Sequence, residues 1–159
     1  MNLHHVGVAV AALAPAIAVH EKVFGLHLVA GPFEDPLQRV AVCFLAGPSV
    51  IAEPDGAVPR GPRESLIELC APLGDTSPLA GFLKKQIGAY HVCYEVDDLD
   101  AALTHARAHA CVLVSGPTPA VAFAGRRIAW FVTPTRQLTE LVERARSTSP
   151  RDALDAPKG

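Results

Sequence analysis

Tyr90-His91-Val92-Cys93-Tyr94-Glu95-Val96-Asp97-Asp98-Leu99-Asp100 reads as a strand that ends in an acidic turn and hands over to a helix. Tyr and Val residues in a short run favour a pleated, half-buried strand. Asp97, Asp98 and Asp100 offer a helix N-cap and the negative charge that a helix N-terminus favours. Ala101, Ala102 and Leu103 continue a helical pattern. Side chains alternate along a strand, so His91 is expected on one face with Cys93 and Glu95. A single imidazole on such a face is most simply a buried, hydrogen-bonded histidine.

A second copy of the arrangement changes that reading. His5-Val6-Gly7-Val8-Ala9-Val10-Ala11-Ala12-Leu13 aligns with it when His5 is placed on His91. Val10 then falls on Val96, Leu13 on Leu99, and Ile17 on Leu103 inside the following helix. A repeated supersecondary unit sets the architecture, and two imidazoles at equivalent places can face each other across one site.

Working outward, Leu3 to Val10 is the first strand and Ala12 to Val23 a helix, stopped by Gly25, with Pro15 in its first turn. Leu26 to Ala30 is a short second strand. Gly31-Pro32 and Asp35-Pro36 are turn chemistry. Arg39 to Leu45 is a strongly apolar third strand, 47–64 a long Pro- and Gly-rich loop, and Ser65 to Cys70 the fourth strand. A linker follows, with a helix over about 78–86 capped by Thr76 or Ser77. The second module runs from Tyr90 through a helix over Leu99 to His109. Strands at Val112 to Val114, Arg127 to Thr133 and Gln137 to Glu143 follow, with 116–125 as a loop. Each module is therefore β-α-β-β-β. The fold class expected is α+β, with paired βαβββ modules forming a curved mixed sheet around a shared metal-binding hollow and helices outside. We expect a single domain over 1–145, with modules at about 1–72 and 89–145. The polar segment 146–159 is expected to be a disordered tail.

The totals agree. The chain has 159 residues, half of them apolar, and a net charge of −2, which suits one domain or two small modules sharing a core. Nothing resembles a basic nucleic-acid footprint, a membrane span or a signal peptide. Cys43, Cys70, Cys93 and Cys111 are scattered with no CxxC, which fits a reducing, cytoplasmic setting and argues against a thiolate metal site.

The last strand of each module carries a carboxylate among apolar residues, in Leu66-Ile67-Glu68-Leu69-Cys70 and Leu138-Thr139-Glu140-Leu141-Val142. One such Glu is most simply an edge-strand residue facing water. Two at equivalent positions, matched by two equivalent histidines, make a two-His, two-carboxylate set. That donor mixture suits Co, Mn, Fe, Ni or Zn, with room for water. His4, next to His5, is expected on the opposite face. His20, His27, His105 and His109 lie on or beside helices and are expected at the surface. Trp130 is expected to line the hollow or to pack.

These residues resemble the vicinal oxygen chelate superfamily (glyoxalase/bleomycin resistance/dioxygenase), and within it most closely the methylmalonyl-CoA epimerases. The resemblance spans roughly Leu3 to Arg144. It is carried by His4 to Val10, Ile67 to Leu73, Ser77-Pro78-Leu79-Ala80-Gly81-Phe82-Leu83, His91 to Asp98, and Gly125 to Phe131. It implies a divalent ion held by His5, Glu68, His91 and Glu140, with Glu140 as the base that removes a proton beside a thioester carbonyl. It also implies a CoA ester substrate and a homodimer. Lys84, Lys85, Arg126 and Arg127 are then candidates to pair CoA phosphates, although ordinary surface charge explains them equally well. Three departures stand out. The third strand, Arg39 to Leu45, lacks the carboxylate that such epimerases can carry as a second proton-transfer group, which makes Glu68 a candidate partner. The loop before Glu68 is longer than expected and the Pro134-Thr135-Arg136 turn shorter. Two other readings share the pattern: a glyoxalase I-like lactoylglutathione lyase, against which the Ser77-Pro78 linker argues, and a metal-free small-molecule binding or resistance protein. An extradiol dioxygenase, with two His and one carboxylate, is less favoured because a fourth ligand is present.

Overall fold

The computed structural model describes residues 1–59 and 66–144; the expected disordered tail lies outside them. Its core is one eight-stranded sheet. The first half contains β1 (Asn2–Ala9), α1 (Leu13–Phe24), β2 (His27–Asp35), β3 (Val40–Ala46) and β4 (Leu66–Pro72). A short helix α2 (Ala80–Lys84) leads to β5 (Ala89–Val96), α3 (Leu99–Ala108), β6 (Val112–Pro119), β7 (Arg127–Val132) and β8 (Leu138–Glu143). The strand order is β2-β3-β4-β1-β5-β8-β7-β6. The order is symmetric about the centre, where β1 and β5 pair antiparallel. Each of these strands pairs in parallel with the last strand of its own module, β4 or β8.

The helices cover one face. Cys43, Leu45 and Leu69 are buried under Leu13, Ala16 and Ile17 of α1. Leu99 and Leu103 of α3 are buried with Val96, Ala129, Phe131 and Leu141. Because side chains alternate, Val42, Phe44, Cys70, Ile128 and Val142 point to the other, concave face and form a separate cluster there. Local chemistry places the helices. Asp98 caps α3 by accepting from the Ala101 N–H at 2.9 Å, and Gly25 closes α1 in the left-handed conformation at φ 67°.

Two local expectations need correction. Gly31-Pro32 does not end β2, which runs on to Asp35, and β6 likewise continues through Gly116-Pro117 to Pro119. At both steps the ladder shifts register and then resumes. Both glycines have positive φ, and a Cβ on them would meet the Val42 and Ile128 carbonyl oxygens of the neighbouring strands at 2.9 and 2.5 Å. Glycine therefore absorbs a bulge that any other residue would resist. The linker helix is shorter than 78–86. Its N-cap is Leu79 with no side-chain cap; the Ser77 hydroxyl accepts from the N–H of Leu79 itself, at 3.4 Å, and not from an N–H inside the helix. β4 and β8 are interior strands, so neither Glu68 nor Glu140 sits on a solvated edge, in keeping with the paired His and Glu set rather than with the simpler reading of a lone edge-strand Glu.

Candidate metal centre

The sheet register explains how four polar side chains converge. Across the centre, Gly7 pairs with both Glu68 and His91, while Cys93 pairs with both Glu140 and His5. Each glutamate thus shares a row with the histidine of the other module, with one small residue between them. With strands about 4.8 Å apart, glutamate and imidazole reach toward each other over that small residue. Gly7 and Cys93 are themselves equivalent in the repeat. At Gly7 the fit is tight, since a Cβ there would lie 1.8 Å from Cε1 of His91. Sequence reading quoted Gly7 but gave it no role; the signal available was a glycine inside an apolar strand, which marks close approach.

His5, Glu68, His91 and Glu140 are all buried and each turns one donor atom to a common point. The two Nε2 atoms are 2.9 Å apart. His5 Nε2 is 3.3 Å from Glu68 Oε2 and 3.2 Å from Glu140 Oε2; His91 Nε2 is 3.4 and 3.5 Å from the same atoms. Donors about 2.0 to 2.2 Å from one ion stand roughly 2.8 to 3.6 Å from each other in octahedral or tetrahedral geometry. The measured edges lie in that interval. Two carboxylates and two neutral imidazoles carry a charge of two minus, which a divalent cation balances; no Lys or Arg among the described residues is paired with either carboxylate. The residues therefore fit a divalent metal.

Without the ion, His5 and Glu140 are shifted by their neighbours. Burial would lower the His5 imidazole, but the Cys93 sulfur and the Glu68 and Glu140 carboxylates outweigh it and raise it well above 6.5. The carboxylates carry that effect, because burial, with Glu140 beside it, pushes the Cys93 thiol up and leaves it neutral. Burial would raise Glu140, yet hydrogen bonds from His5 and His91 bring it down to about 2.

The surroundings are aromatic. Phe44 and Phe123 flank His5. Tyr90 and Trp130 pack edge-on against His91, with centroids 4.5 and 4.8 Å away. Trp130 thus both packs and lines the hollow, a small cavity to which Glu68, Glu140, Tyr90, Cys70 and Val42 also contribute. The Cys70 thiol donates to Glu68 Oε2 at 3.1 Å. Asp35, a residue sequence reading passed over as turn chemistry, is a further buried carboxylate on this cavity. It accepts from the Gln38 N–H and side-chain amide at 2.9 and 3.0 Å, and from the Val121 N–H of the second module at 3.4 Å.

Other expected positions fall elsewhere. His4 is not on the far side of β1. A register shift between Leu3 and His5 brings its Nδ1 to 2.9 Å from His5 Nδ1, and burial followed by the charge of His5 lowers its pKa to about 4. Glu95 is away from the centre, paired with Arg126 and Arg144 at 3.0 Å. Arg126 also donates to the Glu143 carbonyl, and Arg127 pairs with Asp100 and Glu143. Both guanidiniums are thus committed to protein carboxylates, which weakens them as phosphate partners. Lys84 and Lys85 are exposed at the linker helix, and His105 and His109 are exposed on and just past α3. His20 and His27 are half-buried, and each bonds a backbone carbonyl.

This sheet, with its central buried pair of His and Glu, defines a class. Residues 4–130 match the family described as the Glyoxalase/Bleomycin resistance protein/Dioxygenase superfamily, and the chain belongs to it. Within that family it is 37% identical over 118 residues to the ethylmalonyl-CoA/methylmalonyl-CoA epimerase of Cereibacter sphaeroides, covering 72% of this chain and 76% of the relative. It is 31% identical over 144 residues to the mitochondrial methylmalonyl-CoA epimerase of Dictyostelium discoideum, covering 89% and 76%. The crystal structure of methylmalonyl-CoA epimerase from Mycobacterium tuberculosis superposes with a TM-score of 0.70 and 31% identity over 96% of this chain and 91% of that one.

Proposed function

We propose that this protein is a metal-dependent acyl-CoA epimerase that moves the proton alpha to a thioester carbonyl, with methylmalonyl-CoA or a close homologue such as ethylmalonyl-CoA as substrate. The observation that carries this reading is the buried set of His5, Glu68, His91 and Glu140 on an aromatic-walled cavity, in a chain similar to epimerases over most of its length. A divalent ion (Co, Mn, Fe, Ni or Zn) bound there supplies Lewis-acid stabilisation of the charge that develops on the carbonyl oxygen.

The chain's own residues do the rest. Glu140 is ionised and lines the cavity, which suits it to take the alpha proton. Phe123, Tyr90 and Trp130 narrow the space around it and limit water. Inversion needs a second proton-transfer group on the opposite face of the substrate. On the inner face of the third strand stands Val42, which has no proton to give. Glu68 is the partner: a glutamate can carry a proton where an amide cannot. Asp35 is a poorer choice because both its oxygens are engaged by N–H donors. The same reading takes 1–145 as one domain and the protein as a cytoplasmic homodimer using a CoA thioester.

The test is deuterium wash-in from labelled water into each stereoisomer of methylmalonyl-CoA, with metal-loaded wild type and Glu140→Gln. Wild type should exchange, and Glu140→Gln should lose about 10² to 10⁴ in rate while retaining much of its metal, since the amide keeps an oxygen donor. Unchanged exchange in Glu140→Gln removes Glu140 as base. Exchange confined to a glutathione hemithioacetal substrate would establish the glyoxalase I-like reading. No exchange on either substrate favours the binding protein.

A further inference from the structure

The two imidazoles of the centre are supported from behind in different ways. His91 is held by packing between Tyr90 and Trp130 and over Gly7, and its buried Nδ1 has no hydrogen-bond partner among the described residues. His5 has a polar partner instead, the Nδ1 of His4 at 2.9 Å. We propose that His4 is a positioning residue for the metal centre: its unprotonated Nδ1 accepts the Nδ1–H of His5 and so holds His5 in the tautomer that offers a bare Nε2 to the ion. The proposal rests on the reading of His5 as a ligand.

The geometry and elementary chemistry carry it. When two ring nitrogens meet at hydrogen-bond distance away from any ion site, one must donate and the other accept; the two Nε2 atoms of His5 and His91 are the exception, since both face the point the ion would occupy. His5 Nε2 is aimed at His91 Nε2, Glu68 and Glu140. A ligand needs its lone pair at that atom, so the remaining proton of His5 sits on Nδ1. His4 Nδ1 is then the acceptor, and its own proton is on Nε2. The His4 ring is set in place. It stands edge-on to the His5 ring with centroids 5.2 Å apart, and edge-on to Phe123 at 5.4 Å. The register shift that turns His4 inward has its counterpart in the repeat, where Gly7 pairs with His91 and Val8 with Ala89 and Tyr90 is turned to the cavity; His4 thus stands where the other module has a tyrosine. Histidine ligands generally give their second N–H to an acceptor that fixes ring and tautomer; here another imidazole takes that place. Cys93 is the competing neighbour, since its sulfur lies in the same cluster. A thiol sulfur is a weak acceptor, and its hydrogen is directed to the Tyr94 carbonyl at 3.9 Å.

Two measurements test this. In metal-free, ¹⁵N-labelled protein, a scalar coupling across the N–H···N bond should join His4 Nδ1 to His5 Nδ1. It should persist in Cys93→Ala; a coupling absent from wild type overturns the proposal. In cobalt-loaded protein, the His5 N–H should appear as a paramagnetically shifted, slowly exchanging resonance. His4→Leu should lose that resonance and bind cobalt about 10- to 100-fold more weakly. His4→Asn, whose carboxamide oxygen takes the position of Nδ1, should restore both, and it serves also if His4→Leu does not fold. Cobalt affinity and resonance unchanged in His4→Leu, or unrestored in His4→Asn, would overturn the role of His4 alone. Failure of the wild type to bind cobalt would overturn the metal reading itself.

Discussion

Glu140 stays ionised far below the ordinary carboxylate range although it is buried, because two imidazoles donate to it. His5 is the other half of that bargain. In the metal-free protein its raised pKa contributes stability that is fully present below 6.5 and is lost as pH rises through the folded-state value. Glu140, lowered to about 2, contributes stability present above 4.5 and lost as pH falls toward 2. The pair therefore supports the metal-free fold best between 4.5 and 6.5. Metal binding releases the His5 proton, so the loaded protein does not depend on it. Thermal melts from about pH 4 to about pH 9 should show the metal-free Tm falling above pH 6.5 while the metal-loaded Tm holds. Parallel curves for the two forms would contradict a protonated His5. None of this charge coupling was legible in sequence, which names the four residues but not their separations.

At the scale of elements, β1 and β5 decide the centre because they meet antiparallel with small residues facing the opposite histidine. Their equivalence was legible from the His5/His91 alignment, and so were the two glutamates, since both signals repeat. The bulges were not. Gly31-Pro32 and Gly116-Pro117 look like turns by composition, and only the neighbouring strand shows that the ladder resumes beyond them. The inward turn of His4 was hidden for the same reason: strict alternation sends it outward, and a register shift overrides alternation. Gly7 gives the element-scale prediction. A methyl at Gly7 would overlap the His91 ring, so Gly7→Ala should displace His91 and weaken metal binding by at least about tenfold, or roughly 1.4 kcal/mol, while the sheet still forms. Calorimetric metal titration with circular dichroism as the folding control checks it. Native affinity in a folded Gly7→Ala would show that His91 does not need that space.

For the whole molecule, two similar modules place one His and one Glu each at the middle of a single sheet, so neither module alone holds the complete set. Helices α1 and α3 cover the outer face, which leaves the concave face for the cavity and its aromatic walls. The paired-module architecture was legible because repetition and strand periodicity survive in sequence, whereas the tie between Asp35 and Val121 joins residues 86 positions apart and left no local signal. The function proposed above stands on His5, Glu68, His91 and Glu140 holding one divalent ion. Metal content per chain, measured after equilibration with excess cobalt and removal of loosely bound ion, tests it in wild type and in the double variant His5→Ala/His91→Ala. Wild type should hold one ion tightly, and the double variant should lose it. A wild type that holds none, or a double variant that keeps its full complement, would contradict that assignment.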